Sequence, residues 1–308
     1  MFDDEHYAPS AEVEARPHVG SGMPLPRISL LLFAALLAFG TATPASPHPA
    51  QVLDRGRATL PGEPCQIRPH PNWTAQERWV WGQVCVGNIA NLAKKYGGPL
   101  DPGKRKAWPS KRILRPAFLE TILLHEPYRG TLTRTGVRIV GARFKQPLDL
   151  SDASLAHPLW LHNARCETEV DFSRLKSPHG ISLDGSRFVG PVRMDALWVE
   201  GDLLMRHAKF GEVMLNGAKV GGRVSLAGSK FTGELAMDAL RVERDLLMRQ
   251  AKFGEVMLSG ARVGGQLAME ASKFTGKLDM DALQVERDLR MRQAKFAEVV
   301  LNGAKVGG

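Results

Sequence analysis

Cysteine is scarce in this chain, with three residues among 308, and the sequence patterns that give cysteine or histidine a chemical role are missing. There is no Cys-x-x-Cys pair, no histidine pair at metal-binding spacing, no glycine-rich phosphate loop and no Gly-x-Ser-x-Gly turn. Zinc clusters, dithiol redox chemistry, P-loop nucleotide hydrolysis and serine-esterase chemistry therefore have no support in the sequence. No pattern indicates a cofactor, and none is expected.

A membrane-spanning run is also lacking. Ile28–Phe39 is apolar but has only 12 residues, whereas a spanning helix needs about 20. Arg27 precedes it and small residues follow, which is typical of a secretory signal peptide. Residues 1–42 therefore predict a signal peptide or a retained anchor, with Met23 as an alternative start and a buried core helix as an alternative structure. Residues 43–71, with seven prolines, predict a linker.

What the chain does have is repetition. Residues 208–250 and 251–293 match at 31 of 43 positions, and residues 294–308 begin a third copy. Bulky apolar anchors recur every 10 or 11 positions and alternate between phenylalanine and valine: Phe210, Val220, Phe231, Val242, Phe253, Val263, Phe274, Val285, Phe296 and Val306. Apolar pairs two residues apart, such as Val213 and Leu215, follow the anchors and indicate strands.

These periods predict the architecture. Residues 136–308 are expected to form a solenoid of 21–22-residue coils, each with four short edges, that stack about 4.8 Å apart. Phenylalanine would then stack on phenylalanine, and valine on valine, around a narrow core. The gain comes from stacking because a single coil cannot bury its apolar face. The expected fold class is mainly β, a right-handed parallel β-helix solenoid with a small N-terminal α-helical cap.

The small residue two positions before an anchor, as in Ala208/Phe210 and Ser229/Phe231, resembles the bacterial pentapeptide-repeat family. The resemblance covers residues 141–308 and is to degenerate relatives with 20–22-residue coils. It implies a right-handed quadrilateral β-helix and says little about function. Strict members step by five residues, whereas this chain steps by 5.5 on average and often places Val or Leu at the small position.

Residues 72–135 have helical patterns and are expected to cap the first coil. Thr74 and Glu77 have the spacing of a capping box, which predicts a helix over 75–96. A second helix is predicted to begin near Pro116. Solenoids expose an apolar end face unless something covers it, so these helices are placed there.

The repeats reach Gly308 in mid-coil, and an open coil presents unpaired backbone groups. We expect either a truncated array, with further coils beyond residue 308, or a homodimer through the open C-terminal coil. Among the cysteines, Cys65 and Cys85 are candidates for a disulfide in an exported chain. Cys166 occupies a Phe-anchor position and is expected to be a buried, inert thiol.

The residue before each Phe-type anchor is basic, which makes a candidate anion-binding ladder. Its members are Arg143, Arg165, Arg187, Lys209, Lys230, Lys252, Lys273 and Lys295. The ladder could attract an anionic polysaccharide, lipid head groups or nucleic acid. The alternative is a solvated face that an acidic row, which includes Glu212 and Glu255, partly neutralises. The aliphatic stems of the ladder's Lys and Arg side chains would then shield apolar edges.

Two rows of carboxylates recur as well: Asp202, Asp245 and Asp288, and Asp195, Asp238 and Asp281. Glycosidase chemistry needs one facing pair of carboxylates about 5–10 Å apart, and evenly repeated rows single out no such pair. In the first row Arg223 and Gln266 alternate with the aspartates, which indicates charge compensation between coils.

The leading hypothesis is therefore a non-enzymatic, exported scaffold, periplasmic or envelope-associated, that presents β-helix faces to a protein or a polyanion. A carbohydrate-active β-helix enzyme is the second hypothesis. A third is DNA mimicry, the best-known activity of the pentapeptide-repeat family, which relies on an acidic surface. Residues 142–308 contain 24 basic and 21 acidic residues, so this hypothesis is disfavoured and no specific nucleic acid is expected.

Overall fold

The computed structural model describes residues 65–98, 101–103 and 108–307. The predicted signal peptide or anchor, the alternative start at Met23 and most of the linker lie outside these residues. The described chain forms a parallel β-solenoid of about eight coils with four sheets, and short helices precede it. This confirms the predicted mainly β repeat architecture and its coil length.

The four sheets are named A to D in the order in which each coil passes through them, and all strand pairs are parallel. Sheet A contains Ala90–Asn91, Val137–Val140, Leu159–His162, Ile181–Ser182, Leu203–Leu204, Val224–Ser225, Leu246–Leu247, Leu267–Ala268 and Leu289–Arg290. Sheet B contains Arg143–Phe144, Arg165–Cys166, Arg187–Phe188, Lys209–Phe210, Lys230–Phe231, Lys252–Phe253 and Lys273–Phe274.

The other two sheets complete each coil. Sheet C contains Leu148–Asp149, Val170–Asp171, Val192–Arg193, Val213–Met214, Leu235–Ala236, Val256–Met257, Lys277–Asp279 and Glu298–Val300. Sheet D contains Lys176–Ser177, Trp198–Val199, Lys219–Val220, Arg241–Val242, Arg262–Val263, Gln284–Val285 and Lys305–Val306. Since B and D are not consecutive, they lie on opposite sides of the four-sided coil, as do A and C.

The interior of the solenoid is the predicted narrow apolar core. Phe210 stacks on Phe231, and Phe231 on Phe253, with ring centroids 4.9 and 5.2 Å apart. Val220 pairs with Val242, and Val242 with Val263, in sheet D. These side chains are buried and belong to one continuous core. The predicted Phe and Val columns are therefore confirmed.

Small residues before the phenylalanines have a specific task in alternate coils. Ser229 Oγ accepts a hydrogen bond from the backbone N–H of Ala208 at 3.0 Å and donates one to the carbonyl of Met205. Ser272 makes the same two bonds to Ala251 and Met248. A buried hydroxyl is therefore satisfied by the coil before it, as buried polar groups require.

Two corners of each coil, between sheets A and B and between C and D, turn through a residue with positive φ. Gly217 and Gly260 occupy such positions, but so do Ala196, Ala239 and Gln250. These corners therefore tolerate ordinary side chains at φ near +55°, which sequence inspection did not anticipate.

The Gly-Gly pairs lie at the corner between sheets D and A for a different reason. Gly221 and Gly264 do not have left-handed backbone. A Cβ at Gly221 would lie 2.6 Å from the carbonyl oxygen of Glu200 in the coil before. Close backbone approach, rather than conformational freedom, therefore selects glycine here.

Among the described residues, four helices precede the first full coil: α1 (Ala75–Val84), α2 (Leu92–Tyr96), α3 (Pro116–Leu124) and α4 (Tyr128–Thr131), with a 3-10 turn at Ser110–Arg112. Buried side chains of α1 and α3 share the core with Phe144 of the first coil. Leu114 donates its backbone N–H to the carbonyl of Arg143, which extends sheet B. Within the described residues, no helix combines the length and hydropathy needed to span a bilayer.

The prediction of one helix over 75–96 is wrong. The helix ends at Val84, and Ala90–Asn91 pairs instead with Ile139–Val140 as the first strand of sheet A. The Asn91 side chain then accepts a hydrogen bond from the N–H of Lys94 and caps α2. The break supplies backbone partners to the first coil, whose edge would otherwise be unpaired.

The predicted capping box at Thr74 and Glu77 is confirmed. Glu77 is fully buried and forms an ion pair with Arg115, with Oε2 2.6 Å from Nη2. Burial by itself raises the pKa of Glu77, but hydrogen bonds from Arg115 and Thr74 outweigh it and leave the pKa below its ordinary value. One carboxylate therefore joins α1 to the start of α3.

The last coil is less buried than those before it. Val299, Leu301 and Val306 are 36 %, 43 % and 48 % exposed, whereas the equivalent Leu278, Met280 and Val285 are buried.

Candidate functional site

Sheet B places the basic ladder on one outward row. Arg187 is paired in register with Lys209, Lys209 with Lys230, and Lys230 with Lys252. The row begins at Arg143 and Arg165 and ends with Lys273 opposite Lys295. All eight predicted residues therefore lie in one line, one coil apart, or roughly 4.8 Å.

The first two members of the line do not face solvent. Arg143 and Arg165 are 9 % and 6 % exposed and share the carboxylate of Glu167. Arg165 also donates to the carbonyl oxygen of Pro102 at 2.5 Å. Arg165 therefore attaches the segment around residue 102 to the solenoid, and the accessible part of the ladder begins at Arg187.

The five lysines from Lys209 to Lys295 are exposed and have no ion pair with any described residue. Their neighbours two positions away on the chain carry no carboxylate. These neighbours are His207, Gly228, Gln250, Ala271 and Gln293 on one side, and Gly211, Thr232, Gly254, Thr275 and Ala297 on the other. The ladder is thus a cationic strip whose bordering residues carry no carboxylate, and the nearest acidic row lies beyond it at the start of sheet C.

A cleft of about 300 Å³ lies at the N-terminal end of the accessible strip. It lies between the segment at Asp101 and Pro102 and the solenoid surface at Arg187, His207 and Lys209. The buried Nε of Arg187 has no hydrogen-bond partner among the described residues. The cleft therefore adds a partly enclosed position, lined by Arg187 and Lys209 and also by Asp101, to an otherwise open strip.

A second basic row lies on the opposite face and was missed by the sequence analysis. The outward residues of sheet D are Lys176, Trp198, Lys219, Arg241, Arg262, Gln284 and Lys305, and all are exposed. The signal was available because the residue before each Val-type anchor is basic in most coils.

Sheet C is acidic in contrast. The strands of this sheet and the corners beside them carry Glu169, Glu212, Glu234, Glu255, Glu298, Asp149, Asp171, Asp195, Asp238 and Asp281, together with the buried Asp279. Arg193 and Lys277 lie in the same rows and pair with Glu169 and Asp279. The near balance of charge in the repeats therefore conceals a segregation into two basic faces and an acidic face between them.

The aspartate rows connect neighbouring coils. Asp202 accepts hydrogen bonds from the backbone N–H and the guanidinium of Arg223, at 2.9 and 3.0 Å. Asp195 accepts one from the N–H of Asn216, and Asp238 one from the N–H of Ser259. The predicted charge compensation is confirmed at Asp202 and Arg223. These carboxylate oxygens hold adjacent coils together.

Sheet A has an aromatic platform at its N-terminal end. Trp160 stacks on His162 with ring planes 5° apart, and the guanidinium of Arg138 lies 5.5 Å from the Trp160 ring centre. Burial lowers the pKa of His162, Asp184 raises it and Arg206 lowers it, and the result is a pKa below the ordinary value. The stack is small and lies outside both basic rows.

Comparisons with known proteins add no relative: no family model, curated protein or solved structure matches this chain. The pentapeptide-repeat family therefore stays a resemblance in the repeats, and the solenoid fold is the level at which the architecture is established. Among the described residues, no three His, Cys, Asp or Glu side chains converge as a metal ion would require.

The remaining predicted residues are the cysteines. Cys65 and Cys85 form a pair in the structure, with Cα atoms 5.7 Å apart, which joins the start of the described chain to the end of α1. Cys166 is buried between Phe144 and Phe188 in the Phe column, as predicted. Burial raises the pKa of its thiol to about 12.

Proposed function

We propose that this protein is a non-enzymatic, exported scaffold that binds an acidic polysaccharide along the outward face of sheet B. The observation that carries the proposal is the strip of five exposed lysines in register, which has no carboxylate at its borders and no ion pair with any described residue. Such a strip attracts a linear chain of negative charges. The layout of residues 1–42 supports an envelope setting, where such chains occur.

The spacing favours a polysaccharide over a nucleic acid. The cations recur about every 4.8 Å in a straight row, whereas the phosphates of duplex DNA recur about every 3.4 Å per strand along the helix axis and wind around that axis. A polymer with one carboxylate per sugar can extend along a β-solenoid face with roughly one contact per coil. Lysine suits this role because its ammonium is a mobile point charge that needs no fixed bidentate geometry.

The expected affinity is moderate. An exposed ion pair contributes about 0.2–1 kcal/mol, so five contacts contribute roughly 1–5 kcal/mol before the cleft at Arg187 is counted. Binding by such contacts weakens as salt screens them. The protein would therefore hold a polymer through many weak contacts along its length.

DNA mimicry requires a continuous acidic surface, whereas the acidic rows along sheet C lie between the basic rows of sheets B and D. We therefore do not propose it. In the two aspartate rows, Asp195, Asp202, Asp238, Asp245 and Asp281 accept coil-to-coil hydrogen bonds and Asp288 accepts one from Arg290 of its own coil. No observation therefore favours the carbohydrate-active enzyme.

The test is binding to polygalacturonate, with neutral dextran as the ligand control. A variant with K209E, K230E, K252E and K273E should bind at least tenfold more weakly, which corresponds to about 1.4 kcal/mol. The matched control reverses four exposed cations of the cap region, with R68E, K94E, K111E and R134E, and has the same net charge. It should bind within about threefold of the wild type.

Two further arms identify the polyanion. Duplex DNA and phosphatidylglycerol vesicles are tested at the same ionic strength, and each should bind more weakly than polygalacturonate. If the ladder variant and the cap control lost the same affinity for polygalacturonate, net charge alone would explain the loss, and the proposed site would be overturned. Tighter binding to DNA or vesicles than to polygalacturonate would overturn the polysaccharide assignment.

A further inference from the structure

We infer that the outward face of sheet D is a second polyanion site, so that one molecule bridges two acidic polysaccharide chains. This inference rests on the proposed function, because it takes the same class of ligand to the opposite side of the solenoid. Lys176, Lys219, Arg241, Arg262 and Lys305 are exposed on this face and have no ion pair with any described residue.

The sheet D row has its own period. In alternate coils a glycine pair follows the anchor, as at Gly221-Gly222 after Lys219 and at Gly264-Gly265 after Arg262. In the coils between, an acidic residue takes that place, as Glu243 does after Arg241. The least compensated cations therefore recur every second coil, roughly 9.6 Å apart. Sheet D would contact a polymer at about half the density of sheet B and bind it more weakly.

The row also contains an aromatic ring. Trp198 is 45 % exposed and is paired in register with Lys176 on one side and Lys219 on the other. An exposed indole offers a flat apolar surface with a polar edge, on which a sugar ring can pack while the flanking ammonium groups meet its carboxylates. No equivalent aromatic side chain lies in the row of sheet B, whose outward residues are all basic.

The two faces cannot serve one short segment of polymer. Sheets B and D lie on opposite sides of a core whose two layers are separated by roughly 10 Å, and the acidic surface of sheet C lies between them on one side. A segment bound to sheet B is therefore repelled from the direct path over sheet C. Two separate segments are held instead, which makes the solenoid a cross-linker.

The test is a bridging assay. Biotinylated polygalacturonate on beads is loaded with protein, and capture of a second, fluorescent polygalacturonate is measured. The wild type should capture the second chain. A sheet D variant, K219E with R241E and R262E, should bind the beads within about threefold of the wild type but capture at least tenfold less second chain. A sheet B variant, K230E with K252E and K273E, should bind the beads more weakly, yet saturably, and also fail to bridge.

The outcomes separate the two proposals. A sheet D variant that bridges like the wild type would overturn the second site and leave the proposed function intact. If bead binding by the sheet B variant fell to background, sheet D would bind no polymer by itself. That result would also overturn the second site and leave the proposed function intact. If the sheet B variant bound the beads as well as the wild type while the sheet D variant lost bead binding, the proposed function itself would be overturned. Bridging by both variants would assign the effect to self-association and overturn the inference.

A second readout uses Trp198 directly. Saturating the sheet B variant with polygalacturonate should change tryptophan fluorescence, and W198F should remove most of that change while leaving bead binding by sheet B unaffected. An identical fluorescence change with and without Trp198 would overturn the indole contact. Far-ultraviolet circular dichroism of each variant checks that the solenoid is folded.

Discussion

Phe188 and Phe210, which are 22 positions apart in the chain, lie one above the other with ring centroids 4.9 Å apart and ring planes 3° apart. The stack continues through Phe231, Phe253 and Phe274 to Phe296. Each ring between Phe188 and Phe296 stacks on a ring at both faces, and stacked aromatic pairs contribute about 0.5–1.5 kcal/mol beyond their burial. The column is therefore the main determinant of coil-to-coil order on the sheet B side.

Removing one ring from the middle of this column should be costly. Phe231→Ala is expected to lower the free energy of unfolding by about 3–5 kcal/mol, the usual cost of a buried Phe-to-Ala cavity. Chemical denaturation measures it. The control is Lys230→Ala, one position away but exposed, which should change stability by less than about 0.5 kcal/mol. Equal effects of the two substitutions would contradict the stacked column.

The number of cysteines that react with a thiol reagent should differ among three conditions. With the pKa of Cys166 raised to about 12 by burial and Cys65 paired with Cys85, the folded, oxidised protein should not react with a thiol reagent. Denaturation without reductant should expose one thiol. Denaturation after reduction should expose all three cysteines. Rapid modification of one thiol in the folded protein would contradict the buried position of Cys166.

Glu77 should make the stability of the cap depend on acidity. Its pKa is lowered in the folded state, so its contribution is complete above the pKa of the unfolded chain, near 4.5. The contribution is lost as the pH falls through the lower, folded-state pKa. Glu77→Gln should cost about 1.5–3 kcal/mol at pH 7, the range for a hydrogen bond to a charged group.

The comparison of wild type and Glu77→Gln between pH 7 and pH 3 isolates this carboxylate. The stability difference should shrink as the pH falls, because the wild type loses an ion pair that the variant lacks. The exposed Glu120→Gln serves as the control and should show no such change. A difference that stays constant with pH would contradict the role of Glu77 as a charged partner of Arg115.

Two glycines of one coil should respond differently to substitution. Gly221→Ala would bring a Cβ to 2.6 Å from a backbone oxygen and should cost about 1–3 kcal/mol, as overpacking does. Gly217→Ala meets nothing within 4 Å, and Ala196 and Ala239 adopt the same positive φ at equivalent corners. Its cost should stay below about 1–2 kcal/mol. Thermal unfolding of both variants measures the two losses of stability. A larger loss of stability for Gly217→Ala than for Gly221→Ala would contradict the roles assigned to these two corners.

The sequence alone determined the solenoid. Alternating anchors such as Phe231 and Val242 set the coil length, and the spacing of two in Val213/Leu215 identified strands, because stacking identical coils is the one arrangement that buries every anchor. The capping box at Thr74 was equally readable, since it depends on residues three positions apart. Repeat spacings and short-range motifs can be read directly from the sequence, so predicting these features needed no tertiary information.

Tertiary structure decided what each surface presents. The break after Val84 follows from the need of the first coil for a strand partner, which no local propensity encodes. Arg143 and Arg165 left the accessible ladder because Glu167 and the segment at Pro102 cover them. The corners determine which rows share a face, and a residue shifted across one corner moves to another face. The separation of basic sheets B and D from acidic sheet C therefore exists only once the coil is closed.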